Sequence, residues 1–373
     1  MTIGILGGGQ LGRMLALAGQ ALGLRFRILK NFDYAYGEDA MLAYSNNYEF
    51  ERFRGEVDVV TYETESVPAN LAEWLAQRVP VFPPAQALKV SQDRWDEKNL
   101  FHELCVPTVR FVAIASENDL KAAVAEFELP AVLKTRRGGY DGKGQMVLSQ
   151  REQIASAWEQ LGSEPLILEE FIRFERELSI LAVRGRAGEL AFYPLVENKH
   201  RDGMLRWSIA PAPELTEELQ QQAEQYAQRI MEHLDYVGVL AIEFFQCNGR
   251  LIANEMAPRV HNSGHWTIEG AVTSQFENHL RAIVGWPLGD TSVRGKVVMF
   301  NCIGNVPSPE EVLAIPDAHL HRYDKPAAPR RKLGHITVRW PTVQSIPDGS
   351  IARLQKLTEN FEPLSISQQF DSR

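Results

Sequence analysis

Residues 134–145 read KTRRGGYDGKGQ, and this stretch carries more information about the fold than any other. Short apolar runs flank it, at 130–133 before it and 146–148 after it, so we predict a hairpin with a glycine-rich tip. Glycine adopts positive φ angles without strain, which lets the backbone N–H groups of the tip point into one concavity. The tip glycines are Gly138, Gly139, Gly142 and Gly144.

The charges around these glycines favour a polyphosphate site. Arg136, Arg137 and Lys143 are expected to surround the backbone donors with positive charge, which is the composition of a phosphate cradle. The alternative is a mobile, solvated hairpin tip. Lys134 favours the first interpretation, because a lysine at the end of an apolar strand is best explained by an anion that it contacts.

Composition limits the protein to soluble, multidomain classes. The chain has 373 residues, of which 45% are hydrophobic and 23% charged, enough for two or three domains with sizeable cores. The net charge of −9 disfavours general affinity for nucleic acid or anionic membranes. A phosphate ligand therefore requires a local basic site, which residues 134–145 supply.

The cysteines and the N-terminus indicate a cytoplasmic protein. Cys105, Cys247 and Cys302 are odd in number and widely spaced, which suits neither a disulfide framework nor a zinc site. No apolar run approaches the length of a membrane span, and the first apolar strand is too short for a signal peptide.

The first hundred residues alternate strand and helix, which predicts a parallel sheet. Ser66 is the expected N-cap of the helix that contains Pro68. The other predicted elements are strands at 2–6, 26–29 and 57–62, a helix at 10–22 and a charged helix at about 85–104.

A second α/β unit is predicted from about residue 107. Beyond residue 177 the strands are longer and have an antiparallel pattern, and after residue 290 a proline- and arginine-rich terminal module is expected. Further predictions are helices at about 150–161 and 213–233, and strands at 166–170, 238–245 and 250–255.

The turn GGGQLG at 7–12 matches a dinucleotide-binding fingerprint. It follows a strand, precedes a helix, and has Asp33 about 20 residues on, as an NAD-dependent oxidoreductase would. The spacing alone is weak evidence, because any tight βα turn selects glycine. We expect a substrate phosphate, rather than a cofactor pyrophosphate, at this helix N-terminus.

Two glutamates on neighbouring apolar strands favour a Mg²⁺ site. Glu243 lies within VGVLAIEFF, and Glu255 ends the next strand, directly after Asn254. Mg²⁺ takes oxygen ligands, typically one or two carboxylates together with substrate phosphates. The alternative is a buried salt bridge, either from Glu243 to an arginine or from Glu255 to Arg259.

The loop after these strands is dense in hydrogen-bond donors: Arg259, His261, Asn262, Ser263 and His265. Residues 262–264 could form an ordinary turn, but this would not explain the arginine and the histidine. A small oxyanion such as bicarbonate suits the loop, and His261 is a possible general base whose protonation state the sequence does not determine.

Several of these segments together resemble the ATP-grasp superfamily and, within it, the 5-(carboxyamino)imidazole ribonucleotide synthetases of purine biosynthesis. The resemblance covers nearly the whole chain. It rests on GGGQLGRM at 7–14, TYETE at 61–65, GGYDGKGQ at 138–145, EEFI at 169–172, NEMAPRVHNSGHWT at 254–267, HRYDK at 321–325 and RKLGH at 331–335.

The resemblance implies an α/β, ATP-grasp fold in three parts. The implied parts are a Rossmann-like pre-ATP-grasp domain at 1–97, an ATP-grasp domain at 98–287 with a lid at about 107–172, and a small C-terminal module at 288–373. It also implies ATP and Mg²⁺ as cofactors, 5-aminoimidazole ribonucleotide and bicarbonate as substrates, and a homodimer.

The resemblance also assigns residues to the two substrates. For ATP it implies Arg94 and Lys134 at the phosphates and a closing loop of Gly139, Tyr140, Asp141, Gly142, Lys143, Gly144 and Gln145. The adenine is implied to contact a strand of Glu169, Glu170, Phe171 and Ile172. The resemblance also implies Glu177 at the ribose, His200 as a further nucleotide contact, and Asn254 and Glu255 at the phosphates. For the metal it implies Glu243 and Glu255, and for the bicarbonate pocket Arg259, His261, Asn262, Ser263 and Lys332. For the ribonucleotide it implies Tyr140, Asp141, Gln10, Leu11 and Glu63.

The implied reaction begins with attack of bicarbonate on the ATP γ-phosphate and gives carboxyphosphate, which the loop protects from water. The amine of the ribonucleotide then takes the carboxyl group. The alternatives are a formate-using transformylase, a biotin carboxylase, and a non-catalytic or NAD-dependent nucleotide-binding protein. The segment RVHNSGHW favours the carboxylating synthetase over the first two.

Overall fold

The computed structural model describes residues 1–30, 44, 47–139, 142–341 and 350–359. No helix within these ranges is long and apolar enough to cross a membrane. The Asp33 of the dinucleotide interpretation, and Tyr140 and Asp141 of the glycine loop, lie outside the described residues.

The N-terminal region contains the predicted parallel sheet. Strand β1 lies between β2 and β3 and pairs in parallel with both, so that Ile3 faces Phe26 on one side and Val59 on the other. Ile3 and Val59 are fully buried, as the apolar runs predicted. The elements are β1 (Thr2–Leu6), α1 (Gln10–Gln20), β2 (Arg25–Leu29), α2 (Tyr48–Glu56), β3 (Val59–Tyr62), α3 (Ala69–Ala76), α4 (Ala85–Ser91) and α5 (Arg94–Glu103).

Two helix predictions in this region are wrong. Helix α3 begins at Ala69 after Pro68, so Ser66 is not its N-cap. The single charged helix expected at 85–104 is divided into α4 and α5. Asp93 adopts an extended conformation between them, and its carboxylate accepts a hydrogen bond from the Trp95 N–H at 3.0 Å. An N-cap of this kind starts a new helix because it satisfies a free backbone donor.

A four-stranded antiparallel sheet in the order β4-β7-β5-β6 carries the glycine loop. Strands β5 and β6 form the predicted hairpin, with Lys134 opposite Gln145 and the Thr135 N–H bonded to the Gly144 carbonyl at 2.8 Å. The elements are β4 (Phe111–Ile114), α6 (Glu117–Glu126), β5 (Ala131–Thr135), β6 (Gln145–Leu148), α7 (Ile154–Leu161) and β7 (Leu166–Glu170).

Within the described ranges, the largest sheet is antiparallel and has the order β13-β12-β8-β10-β11-β14-β16-β15, with β9 beside β8. Helix α8 starts at the N-cap Thr216 and buries Leu219, Ala223 and Ile230 against this sheet, at the i, i+4 spacing of an amphipathic helix. The strands are β8 (Arg176–Arg184), β9 (Leu190–Phe192), β10 (Val196–Arg201), β11 (Met204–Ala210), β12 (Gly238–Cys247) and β13 (Arg250–Ala257), and the helices are α8 (Glu217–His233), α9 (Thr267–Gly270) and α10 (Gln275–Val284).

The C-terminal strands extend this same sheet. Strand β14 pairs with β11, and β16 pairs with β14 along its whole length, from Lys296 opposite Trp340 to Ile303 opposite Lys332. The last elements are β14 (Lys296–Ile303), α11 (Pro309–Leu313), β15 (Ala318–Arg322), β16 (Lys332–Trp340) and α12 (Ser350–Glu359). The expected terminal module is therefore joined by backbone hydrogen bonds to the sheet that carries the two glutamates.

Candidate active site

The two glutamates predicted as a metal platform are direct cross-strand partners. Glu243 on β12 lies opposite Glu255 on β13, immediately before a bulge. Residues in such a pair project from the same face of a sheet. Burial raises the pKa of Glu243 to about 7, and His200 opposes the rise while Glu255 adds to it. The predicted pair of adjacent carboxylates is confirmed.

Arg94 connects this platform to the glycine loop. Its Nη1 lies 3.0 Å from Glu255 Oε2, and its Nη2 donates to the Gly139 carbonyl at 3.3 Å. Burial disfavours the charged form of Glu255, but the charge and hydrogen bond of Arg94, together with the charges of Lys134 and His200, lower its pKa. The alternative partner proposed for Glu255, Arg259, lies instead 2.7 Å from Glu65 Oε1.

Lys134 contacts an internal anion. Its Nζ lies 2.7 Å from Glu169 Oε2, and the Nζ of the buried Lys98 lies 3.5 Å from the other oxygen of the same carboxylate. The two lysines together outweigh burial and lower the pKa of Glu169. The anion at the end of this apolar strand is thus Glu169, and a contact of Lys134 with phosphate remains a prediction.

The arginines before the glycine loop do not surround its backbone donors as expected. Arg136 forms two hydrogen bonds to Asp93, at 2.9 and 2.8 Å, and Arg137 forms one at 3.2 Å. Asp93 is 3% exposed, and burial opposes its ionisation, but the hydrogen bonds from Arg136 and Trp95 and the charges of the two arginines together lower its pKa. Two positive charges are therefore used to anchor the base of the hairpin, because a buried carboxylate requires partners.

Three of the expected nucleotide residues line a cleft, and two others form a pair on neighbouring strands. A cleft of about 360 Å³ includes Glu170, Phe171 and Ile172 at the end of β7. Glu177 and His200 lie on the neighbouring strands β8 and β10, where Glu177 Oε2 is 2.9 Å from His200 Nδ1. Desolvation favours neutral His200, but this hydrogen bond and the charges of Glu243 and Glu177 together raise its pKa.

The donor-rich loop at 259–265 meets the platform. His261 Nε2 lies 3.7 Å from Glu243 Oε1, and its Nδ1 lies 2.9 Å from the Ser263 hydroxyl. Asn262 exchanges two side-chain hydrogen bonds with Asn301 of β14, at 3.0 and 2.8 Å. Burial, with the charges of Arg259 and Lys332, lowers the pKa of His261 well below its ordinary value, so this histidine is uncharged at neutral pH.

The first helix has an acidic side chain at its N-terminus. Glu63 accepts hydrogen bonds from the N–H groups of Gly9 and Gly12, the latter at 2.6 Å. Lys325 donates to Gln10 beside it. The Leu11 side chain packs in the core, so only the backbone of this residue can face a ligand. The anion observed at this helix is a carboxylate of the chain itself, where a substrate phosphate was expected.

Comparison with known proteins supports a single family. Family models match the chain at residues 1–92 (ribonucleotide synthetase preATP-grasp domain), 99–276 (ATP-grasp domain) and 297–347 (phosphoribosylaminoimidazole carboxylase C-terminal domain). The N5-carboxyaminoimidazole ribonucleotide synthase of Pseudomonas aeruginosa is 52% identical over 91% of this chain and 94% of its own length. The chain belongs to the N5-carboxyaminoimidazole ribonucleotide synthase family.

Solved structures of this family have the same fold. The synthetase of Thermus thermophilus is 52% identical, with a TM-score of 0.86 over 95% of this chain and 98% of its own. The synthase of Aspergillus clavatus, solved with ADP and 5-aminoimidazole ribonucleotide, is 31% identical, with a TM-score of 0.81 over 91% and 94%. The predicted ATP-grasp fold with an N-terminal parallel-sheet domain and a C-terminal module is confirmed.

Enzymes of the N5-carboxyaminoimidazole ribonucleotide synthase family are ATP-grasp ligases of purine biosynthesis, which convert 5-aminoimidazole ribonucleotide to the N5-carboxyamino product with ATP and Mg²⁺. This confirms the predicted enzyme class.

Within the described ranges, no group of three or more histidine, cysteine, aspartate or glutamate side chains gathers as a metal centre. The acidic platform is therefore a pair of carboxylates, a number that suits Mg²⁺ when substrate phosphates complete its shell.

Three buried charged residues of this chain hold elements of the candidate active site in place, and the sequence did not reveal them. Asp93 anchors the hairpin, and Lys98 is 1% exposed yet lies 3.2 Å from the Thr108 hydroxyl and 3.3 Å from the Asn254 carbonyl. Glu97, also buried, accepts from the Met256 N–H at 2.7 Å. The available signal was the excess of charge in the helix predicted at 85–104, but its periodicity does not show which side chains are buried.

Proposed function

We propose that this chain carboxylates 5-aminoimidazole ribonucleotide with bicarbonate and ATP, through carboxyphosphate, and releases ADP and phosphate. The observation that carries the proposal is the meeting of the carboxylate platform with the donor-rich loop, where His261 Nε2 lies 3.7 Å from Glu243 Oε1. A phosphoryl donor and a small oxyanion acceptor must be adjacent for in-line transfer, and these two groups of residues suit one each.

The ATP roles follow from the positions of the side chains around the platform. Arg94 and Lys134 supply positive charge for the phosphates, and a phosphate competes with Glu169 for Lys134. We propose that the loop from Gly139 to Gln145 closes over the phosphates. We assign the segment 169–172 to the adenine, the Glu177–His200 pair to the ribose, and Asn254 with Glu255 to the phosphate end.

The platform residues fit a magnesium ion. A carboxylate whose pKa is raised to about 7 by burial, as that of Glu243 is, gains from a nearby cation. Glu243 and Glu255 would hold Mg²⁺, which supplies positive charge to offset that of the phosphates.

The loop residues suit the bicarbonate. A bicarbonate oxygen forms a bond to the γ-phosphorus as the bond to the ADP oxygen breaks, and the product is carboxyphosphate. We propose that Arg259, Asn262 and Lys332 hold the acyl phosphate and that His261 contacts it, while the buried Ser263 completes this pocket through its hydrogen bond to His261. The amine nitrogen of the ribonucleotide then bonds to the carboxyl carbon and loses a proton as phosphate leaves, and a closed loop protects the intermediate from water.

We place the ribonucleotide between the first helix and the glycine loop. Gln10 and the backbone of Leu11 lie at the helix N-terminus, with Lys325 and Glu63 beside them. Tyr140 and Asp141 are proposed to contact the same substrate from the loop. These groups suit a phosphorylated ribose near the helix and an amine near the acidic side chains.

The domain boundaries at 97 and 287, a homodimer and a cytoplasmic location are also part of this proposal. The family models fall on either side of both boundaries, at 1–92, 99–276 and 297–347. The three cysteines are free thiols, which suits a reducing compartment.

An ADP-release assay tests the proposed function. We expect release to require bicarbonate and Mg²⁺ and to increase with 5-aminoimidazole ribonucleotide, with formate giving no stimulation. Stimulation by formate instead of bicarbonate would overturn the assignment. Lys332→Ala should lower turnover, whereas Lys121→Ala, which changes an exposed lysine paired with Glu117, should not. Equal turnover of the two variants would contradict the role of Lys332.

A further inference from the structure

A row of buried polar side chains crosses the large sheet and ends on His261. Its members are Ser208 on β11, Asn198 on β10, Ser179 on β8 and Ser263 in the donor-rich loop, each at most 3% exposed. Successive distances are 2.7 Å from Ser208 Oγ to Asn198 Oδ1, 2.8 Å from Asn198 Nδ2 to Ser179 Oγ, and 2.9 Å from Ser179 Oγ to Ser263 Oγ. The last step, from Ser263 Oγ to His261 Nδ1, is 2.9 Å.

The positions of these side chains are unusual for the sheet. Ser179 lies between Leu178 and Ile180, both fully buried, on a strand whose interior is otherwise apolar. Buried hydroxyl and amide groups are unfavourable unless they are hydrogen-bonded, and each member of this row is bonded to the next. Three buried polar groups on strands of the sheet, joined to a fourth in the loop, therefore indicate a requirement at the end of the row.

The hydrogen bonds of the row run in one direction. The Ser263 backbone N–H donates to His261 Nδ1 at 3.3 Å, so this nitrogen is an acceptor and carries no proton. The Ser263 hydroxyl must then donate to the same nitrogen. Since each hydroxyl has one hydrogen, Ser263 Oγ accepts from Ser179, and Ser179 Oγ accepts from the Asn198 amide.

We propose that Ser263, Ser179, Asn198 and Ser208 are positioning residues that hold His261 in the tautomer protonated on Nε2. That nitrogen is the one that faces Glu243 across 3.7 Å. His261 then presents one N–H group, which faces Glu243 and can donate to a bicarbonate oxygen, and it does not act as a base through Nε2. The catalytic part of this proposal rests on the proposed function, whereas the tautomer does not.

The tautomer is measured directly by ¹⁵N–¹H spectroscopy of the histidine side chains. The chain has nine histidines, and His261→Asn identifies the signals of His261 by their loss. In the unmodified protein we expect a protonated Nε2 and an unprotonated Nδ1 at neutral pH. A protonated Nδ1 would overturn the proposal.

Asn198→Asp tests whether the row determines this tautomer. The carboxylate has nearly the same shape as the amide but cannot donate, so Ser179 would donate to it and leave Ser263 free to accept from Nδ1. The Ser263 backbone N–H still faces Nδ1, so we expect a mixture in which part of the His261 population carries its proton on Nδ1. Ser179→Ala, which removes the donor to Ser263, should also abolish the single tautomer and serves if the aspartate variant does not fold.

Asn278→Asp is the matched control. Asn278 is a buried asparagine bonded to Tyr193 Oη and to Gly289 outside this row, so its substitution should leave the His261 signals unchanged. Unchanged His261 signals in Asn198→Asp and Ser179→Ala would show that the row is only structural.

Steady-state kinetics test the use of the tautomer. We expect kcat for ADP formation to fall about ten- to a hundred-fold in Asn198→Asp with little change in the KM for ATP, as when the partner that orients a histidine is lost. A changed tautomer with unchanged kcat would overturn the positioning role. If the unmodified enzyme formed no carboxylated product, the proposed function would fail while the tautomer measurement still stood.

Discussion

Two glycine-rich turns follow strands in this molecule, and they differ in what their backbone donors contact. At residues 7–12 the carboxylate of Glu63 accepts from Gly9 and Gly12, and an added Cβ at Gly7 would lie 2.4 Å from the Glu63 side chain. The surroundings of the second turn's glycines are different. An added Cβ at Gly138 would have no neighbour within 4 Å, and one at Gly139 would lie nearest to the Lys143 carbonyl.

This difference shows that glycine spacing identifies available donors but not their ligand. The GGGQLG turn satisfies a dinucleotide fingerprint, yet an internal carboxylate occupies the place of the pyrophosphate at the helix N-terminus. Near the second turn, Asp93 pairs with Arg136 and Glu169 pairs with Lys134. Binding of phosphate by this loop is part of the proposed function.

The largest expected effect on ADP formation is at the carboxylate platform of Glu243 and Glu255. Glu255→Gln keeps the size of the side chain but removes the charge that Arg94 and the proposed metal use, so ADP formation should fall at least about a hundred-fold. The thermal unfolding temperature should change little, because 42% of this side chain is exposed. Glu126→Gln, at an exposed ion pair with Arg110, is the control. Near-normal ADP release by Glu255→Gln would contradict the proposed role of Glu255 in a metal platform.

Glu63→Gln tests the turn at residues 7–12, whose backbone donors contact Glu63. The neutral amide is a weaker acceptor for the two N–H donors, and we expect a loss of about 1 kcal/mol in the free energy of unfolding. Inorganic phosphate should then raise the unfolding temperature of this variant more than that of the unmodified protein, since the helix N-terminus becomes available to an anion. An equal effect of phosphate on both proteins would mean that Glu63 does not close the turn.

Alanine substitutions at two glycines of the loop at 138–144 should have different effects on ATP binding. Gly144 has φ +69° and an added Cβ 2.6 Å from Thr135 Oγ1, whereas Gly138 has φ +74° and open space around it. Left-handed φ costs about 1–2 kcal/mol for a residue with a side chain, and only Gly144→Ala adds a steric overlap. We expect the KM for ATP to rise more in Gly144→Ala than in Gly138→Ala. The reverse order would contradict the described loop geometry.

The smallest expected effect is at the base of the hairpin. Asp93→Asn can still cap α5 but loses its charge pairs with Arg136 and Arg137. Because the two arginine side chains are themselves 26% and 57% exposed and can be solvated, the KM for ATP should rise only about two- to threefold. The pKa of Asp93 is lowered in the folded protein, so its stabilisation is present above its unfolded pKa and is lost as the pH falls through the folded pKa. In urea unfolding, the difference between the two proteins should therefore shrink with falling pH. A difference independent of pH would exclude the ionised pair as its source.

Much of the fold could be predicted from the sequence, because element type depends on local pattern. The parallel N-terminal sheet, the hairpin at 131–148 and the adjacent strands of Glu243 and Glu255 were predicted from apolar runs and glycines. The division of the charged helix at Asp93 was not predicted, since its N-cap role competes with a continuous helical pattern.

The partners of the charged residues were the least predictable part of the site. Lys134 and Glu169 are 35 residues apart in the chain, and Arg94 and Glu255 are 161 apart. Nothing in the sequence separates Arg136, which pairs with Asp93, from Lys134, which pairs with Glu169. Both are cations just before the glycine-rich loop, and only packing determines which carboxylate each can reach.

The sequence by itself determined the family, the glycine-rich loop, the two carboxylate strands and the donor-rich loop, because these depend on residue type and short spacing. The tertiary structure alone decided that Glu63 closes the first turn, that Asp93 and Glu169 hold the cations of the second, and that a row of buried hydroxyl and amide groups reaches His261. Hydrogen bonds and ion pairs act over about 3 Å. They are therefore determined by how the strands and helices pack, which local sequence pattern does not specify.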